Sequence, residues 1–142
     1  MKGATSYYNI KNMDCPTPEL YGISEGCKVL MVGTARPQTW ALTIDNDPAS
    51  PADMICDGRR TPFRDKVFDI VILDYTTNFM PPKYVPDIIA EANRIGKRVM
   101  GRCHISTDGK TLRGPKQAYC HMKPPQGVEW VQILSHNMED RP

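Results

Sequence analysis

The stretch Ala52-Asp-Met-Ile-Cys-Asp-Gly-Arg-Arg-Thr-Pro-Phe-Arg-Asp-Lys-Val-Phe-Asp-Ile-Val-Ile-Leu-Asp74 decides the fold. It opens as a short strand ending in Asp57-Gly58. It then passes through a loop carrying Thr61-Pro62-Phe63 and enters an apolar run from Phe68 to Leu73, closed by Asp74. A short apolar run bounded by turn residues marks a strand covered on both faces, as in a parallel sheet. Polar residues at the carboxyl ends of two such strands are where open α/β sheets bind small ligands.

Upstream of this stretch, Lys28-Val-Leu-Met-Val-Gly33 reads as a first strand. Thr39-Trp-Ala-Leu-Thr-Ile-Asp45 reads as a second, ended by the turn signal Asp-Asn-Asp-Pro. Ala52 to Cys56 and Phe68 to Leu73 are the third and fourth. Downstream, Val85, Ile88, Ile89, Ala92 and Ile95 fall at the i, i+3, i+4, i+7 spacing of one buried face, which predicts a helix from Pro82 to Ile95. Pro82 suits its first turn, and Gly96 suits a left-handed position after its last. A fifth strand follows from Arg98 to Ile105. Asp108-Gly109 signals a hairpin, continued by Gln117 to Met122, and the last strand is Val128 to Leu134. The expected fold is therefore α/β, with a mostly parallel sheet, an antiparallel C-terminal hairpin and few helices. It is one domain: an arm over 1–26, a core over 27–105, and a hairpin and tail over 106–142.

Composition narrows the function classes. A chain of 142 residues buries an ordinary single core. A formal net charge of +2 is too small to argue for nucleic acid. The basic cluster Lys97, Arg98, Arg102, Lys110, Arg113, Lys116 and Lys123 has only Tyr119 as a nearby aromatic and reads as a solvated hairpin. No apolar run reaches the roughly 18 residues of a membrane span. The amino terminus lacks an apolar signal core, so a cytoplasmic address is expected. Five cysteines without that signal point to reduced thiols. Cys103-His104 and Cys120-His121 are adjacent pairs, whereas zinc ligands usually sit two to four residues apart, so no metal is expected. His104 and His121 read as surface residues. The 13 prolines fall between apolar runs and mark loops.

The segment Asp57 to Asp74 resembles the class I S-adenosylmethionine-dependent methyltransferases. That family often shows an acid ending strand three, then Leu-Pro-Phe, a charged turn, and Phe-Asp-hydrophobic-Val; here Thr61 replaces the leucine. Ile88 to Ile95 followed by Gly96-Lys-Arg-Val-Met looks like the family's helix, glycine turn and fifth strand. The likeness covers roughly 27–105 and implies a truncated Rossmann-like fold that binds S-adenosylmethionine as cofactor. It implies that Gly33 lies under the methionine part of the cofactor, that Asp45 accepts hydrogen bonds from the ribose hydroxyls, and that Asp57 with the Gly58 backbone binds the adenine amino group. The loop after strand four implies Asp74 and Tyr75 as catalytic residues and Asn78 as a substrate contact.

The chain departs from the family in its first loop. Thr34-Ala-Arg-Pro-Gln38 is too short for the crossover of a dozen or more residues that parallel strands usually need. Either the first helix has been deleted, or Thr34 caps a short helix containing Trp40, Ala41 and Ile44 in place of strand two. Arg36, a fixed fork of donors, is the candidate replacement for the lost helix terminus. Arg59 and Arg60 read as a solvated loop pair. The leading reading is a methyltransferase acting on a small molecule or macromolecule. The alternatives are a non-catalytic descendant serving as a structural or partner-binding subunit, and an enzyme of another class using the same crevice. Trp40, Leu42, Ile44 and Trp130 need cover from 1–26 or from another subunit, so an oligomer or complex is expected.

Overall fold

The computed structural model describes residues 15–33, 37–107 and 119–136. Its strands are β1 (Val29–Val32), β2 (Leu42–Asp45), β3 (Met54–Ile55), β4 (Phe68–Asp74), β5 (Gly96–Ser106) and β6 (Glu129–His136). They form one sheet in the order β3-β2-β1-β4-β5-β6, and every neighbouring pair runs parallel. Chain order reverses between β1 and β4, so the crevice at the carboxyl ends of these two strands is the topological switch point.

The second strand holds: Leu30, Met31 and Val32 pair with Leu42, Thr43 and Ile44, so Ile44 is in a strand and not in a short helix. The connection from β1 to β2 carries no long helix among its described residues. One expectation is corrected. The last strand joins the sheet parallel to β5, from Met100↔Glu129 to Ser106↔His136, and no antiparallel hairpin occurs among the described residues. Asp108-Gly109 lies outside them. Among the described residues of the expected strand from Gln117 to Met122, only His121 makes a bridge, parallel to Ile105. The long stretch between β5 and β6 lets the chain return to the same end of the sheet, which a tight turn cannot do.

The helix α1 (Val85–Ile95) follows a 3-10 turn at Pro82–Tyr84, and its predicted stripe is the buried one: Val85, Ile88, Ile89, Ala92 and Ile95. This stripe packs on Leu30, Val32, Ile44, Val71, Leu73 and Val99. Each valine, leucine or isoleucine side chain so buried contributes about 1.5–3 kcal/mol. Alternate residues of the same strands, Val29, Met31, Ile70, Ile72 and Met100, face the other way. There Leu20, Tyr21, Ile23 and Trp40 cover them, so an irregular arm stands where a second helical layer would be. Gly96 is not left-handed as expected; at φ −113° it is already extended and starts β5. It is glycine because a Cβ there would lie 2.6 Å from Val71 Cγ2.

Candidate functional site

The strand ends enclose a cleft of about 490 Å³. Its floor is Val32, Gly33 and Thr76; one wall is Asp45, Asn46 and Asp47; the other is Phe79 to Pro81, Tyr84 and Ile88; Asp57 and Arg59 close the end. Gly33 has φ +75°, a conformation that favours glycine. A Cβ at this position would lie 2.9 Å from Thr76 Cγ2, so the bare backbone also keeps the floor open. Thr76 is fixed in turn, since its hydroxyl donates to the Val32 carbonyl at 2.6 Å.

Asp45 ends β2, and one of its carboxylate oxygens accepts the Asp47 N–H at 3.3 Å. Its other oxygen accepts no hydrogen bond among the described residues. Asp57 lies two residues beyond β3. Its Oδ1 accepts the Arg59 backbone N–H at 2.9 Å and Arg59 Nε at 3.1 Å, and its Oδ2 accepts Arg59 Nη2 at 2.9 Å. The Arg59 side chain, then its backbone N–H, hold the Asp57 carboxyl below the usual carboxylate range. At neutral pH Asp57 therefore offers acceptors only. Gly58 lies beneath: a Cβ would meet Val32 Cγ1 at 2.7 Å and Ile88 Cδ1 at 3.1 Å. Its lack of a side chain lets the Asp57 loop settle onto the sheet and helix. The loop is also tied to α1, because the Thr61 N–H and hydroxyl both donate to Glu91 Oε2 at 2.7 Å.

Asp74, Tyr75 and Asn78 do not line this cleft. They build a buried polar network over the ends of β4 and β5. Asp74 and Arg102 face each other across the two strands, and the guanidinium forks onto the carboxylate at 2.6 and 3.1 Å. Arg102 is only 1% exposed. Burial opposes its charge, but hydrogen bonding and attraction to Asp74 outweigh that, and its pKa is raised. The Tyr21 hydroxyl donates to Asp74 as well. Burial first, then the Asp74 charge, raise its pKa. Tyr75 adopts φ +58°, unusual for a non-glycine residue. Its ring is held between Arg102, 4.7 Å from the centroid, and His104, stacked at 4.7 Å. The Asn78 amide donates to the His104 and Tyr119 carbonyls and accepts the His104 N–H at 2.9 Å. His104 is therefore buried, 1% exposed, and not the surface residue expected from the sequence. His121 is half-buried, with Nε2 2.9 Å from the Thr77 hydroxyl, and burial lowers its pKa.

The structure thus brings Gly33, Asp45 and Asp57 together in one cleft, with Gly58 packed below it. It sets Asp74, Tyr75 and Asn78 apart in a separate network. Arg36 lies outside the described residues. Sequence reasoning missed Thr76, Tyr84 and the part played by Arg59 at the cleft wall. It also missed the Asp74–Arg102 pair, although an arginine inside the apolar strand Val99–Ile105 was a visible signal: a buried cation needs a counter-ion. A comparison of the chain with known protein families and with curated protein sequences returns no match.

Proposed function

We propose that the cleft binds the adenosine part of S-adenosylmethionine, and that the chain is a methyltransferase-like protein acting on a small molecule or macromolecule. The observation that carries this reading is the convergence of Gly33, Asp45 and Asp57 on one cleft beside the switch point. A ribose diol offers two donors, which suits the acceptor oxygen at Asp45. A base amino group suits the remaining acceptor at Asp57, and Gly33 leaves space for the methionine part. When bound, the cofactor's sulfonium supplies a methyl group. The chain's own share is to hold both partners in line, since transfer to a good nucleophile depends mainly on positioning. Asp74 and Tyr75 act in this reading as supports for the loop that carries Thr76, and Asn78 pins the same loop to β5.

The non-catalytic reading has its own support. Asp74, Tyr75 and Asn78 are engaged with Arg102, Tyr21 and His104. A partner-binding subunit that keeps the sheet and has lost acceptor chemistry fits that arrangement. The strand order β3-β2-β1-β4-β5-β6 is also that of dinucleotide-binding sheets, and strand order alone does not choose the ligand.

Calorimetric titration separates these readings. S-adenosylmethionine and S-adenosylhomocysteine are expected to bind, with binding lost in Asp45→Ala and Asp57→Ala. Binding without methyl transfer to any acceptor tried favours the subunit reading. Binding of a nicotinamide dinucleotide in place of either ligand, or no binding at millimolar concentration, refutes the proposal.

A further inference from the structure

The turn that follows β4 is strained. Tyr75 takes φ +58° and ψ +7°, the left-handed region, where a residue with a Cβ is uncommon and glycine sits without penalty. Such a conformation persists only where its surroundings hold it. Here the hold is visible. The Tyr75 ring is buried, with the Arg102 guanidinium 4.7 Å from its centroid and the His104 ring stacked on it at 4.7 Å. The Tyr75 N–H donates to the Arg102 carbonyl at 2.9 Å. Arg102 is itself fixed, because its guanidinium forks onto Asp74, which also accepts the Tyr21 hydroxyl.

The same turn decides the floor of the cleft. Tyr75 caps the 3-10 turn Thr76–Asn78, and its carbonyl accepts the Asn78 N–H at 3.0 Å. A left-handed residue at this point swings the chain off β4 and lays Thr76 across the end of β1. There the Thr76 hydroxyl reaches the Val32 carbonyl, and its methyl lies where a Cβ on Gly33 would come within 2.9 Å. Thr76, Val32 and Gly33 line the cleft, whereas Arg102 stands behind them. Its reach to a ligand runs through the turn.

We propose that Arg102 is a positioning residue for the cleft: by gripping the Tyr75 ring it keeps the turn left-handed and so keeps Thr76 in the floor. The inference rests on reading the cleft as the S-adenosylmethionine site. It differs from a purely stabilising role in one respect. A residue that adopts the left-handed turn unaided makes the grip unnecessary for binding, even though the buried ion pair still matters for folding.

The test is calorimetric titration of the full chain with S-adenosylhomocysteine. It compares wild type, Arg102→Lys, and Arg102→Lys combined with Tyr75→Gly, each checked by thermal unfolding. Lysine keeps the charge but loses the planar fork that grips Asp74 and covers the ring. Arg102→Lys is expected to weaken binding about tenfold, the scale set by the cost of an unsupported left-handed residue. Adding Tyr75→Gly is expected to restore affinity to within about threefold of wild type, without restoring the Tm. If Arg102→Lys does not fold, Tyr75→Ala replaces it. That variant removes the ring and keeps the Cβ, so it is expected to bind as weakly, and Tyr75→Gly alone is expected to bind far better. A glycine variant no tighter than its Arg102→Lys or Tyr75→Ala counterpart overturns the inference. So does an Arg102→Lys protein that melts lower yet binds as wild type does. The Gly33 amide shift, recorded without ligand, separates this inference from the ligand reading. It is expected to move in Arg102→Lys and to return when Tyr75→Gly is added. If wild type binds no S-adenosylhomocysteine, the ligand reading fails; a Gly33 shift that follows this pattern still supports control of the floor by Arg102, and one that does not overturns it.

Discussion

Replacing Glu91 by glutamine tests how the site loop is held to the helix. Glu91 sits on α1 and accepts four hydrogen bonds: two from Thr61, and two from Arg94 at 2.7 and 2.8 Å. The Arg94 side chain first, and Thr61 after the opposing effect of burial, bring its pKa from an ordinary 4.5 to about 2. A carboxyl held that far down corresponds to about 3 kcal/mol of stability at neutral pH. The Glu91 side chain is 10% exposed and Arg94 is 38% exposed, so solvent screening reduces this to about 2 kcal/mol. Glutamine keeps the shape but sets an N–H₂ group against the guanidinium. Glu91→Gln is therefore expected to lose about 2 kcal/mol in urea unfolding at pH 7, or about 6 °C in Tm for a chain of this size. The pH dependence fixes the cause. Because the folded pKa is depressed, the stabilisation is present in full above the unfolded value of 4.5 and is lost as pH falls through about 2. The gap between wild type and variant should shrink to roughly half or less by pH 3. An unchanged urea midpoint at pH 7, or a gap that stays constant from pH 7 to pH 3, refutes the reasoning.

Four further outcomes follow from the packing. Tyr21→Phe removes a buried donor to Asp74 and should cost about 1–2 kcal/mol in urea unfolding. Arg102→Met leaves the largely buried Asp74 charge without its counter-ion and should cost about 3–5 kcal/mol, much of it recovered when Asp74→Leu is added; an additive double variant would count against the pairing. Gly58→Ala forces a Cβ to 2.7 Å from Val32 Cγ1, so it should destabilise by about 1–3 kcal/mol and weaken cofactor binding as the Asp57 loop lifts. Burial above all, with Cys120 nearby, pushes the Cys103 thiol up to about 12. In the native protein Cys103 should resist iodoacetamide while the exposed Cys15 reacts; peptide mapping that shows equal labelling contradicts its burial.

Much of the sheet was legible because its strands are apolar runs bounded by proline, glycine and aspartate. The helix was legible because Val85 to Ile95 carry one clean period. Gly33, Asp45 and Asp57 could be placed together because each lies at or just beyond the end of a strand, and strand ends of a parallel sheet share one edge. The direction of β6 was not legible. A turn signal such as Asp108-Gly109 is local, whereas the pairing of Met100 with Glu129 is decided by packing far along the chain. The burial of Asp74, Tyr75, Asn78 and His104 escaped for a similar reason. Their polarity suggested an exposed loop, and only the cross-strand register brings Arg102 to Asp74 and folds the network inward. Arg59 looked like a solvated charge because its partner, Asp57, had already been assigned to a ligand.

The most direct test of the central claim is to map backbone amide shifts by NMR as S-adenosylhomocysteine is added. The account predicts saturable shifts concentrated at Gly33, Asn46, Gly58, Arg59 and Thr76, absent in Asp57→Ala. Shifts that leave these residues unmoved, or that gather on the far face around Tyr21 and Trp40, contradict it.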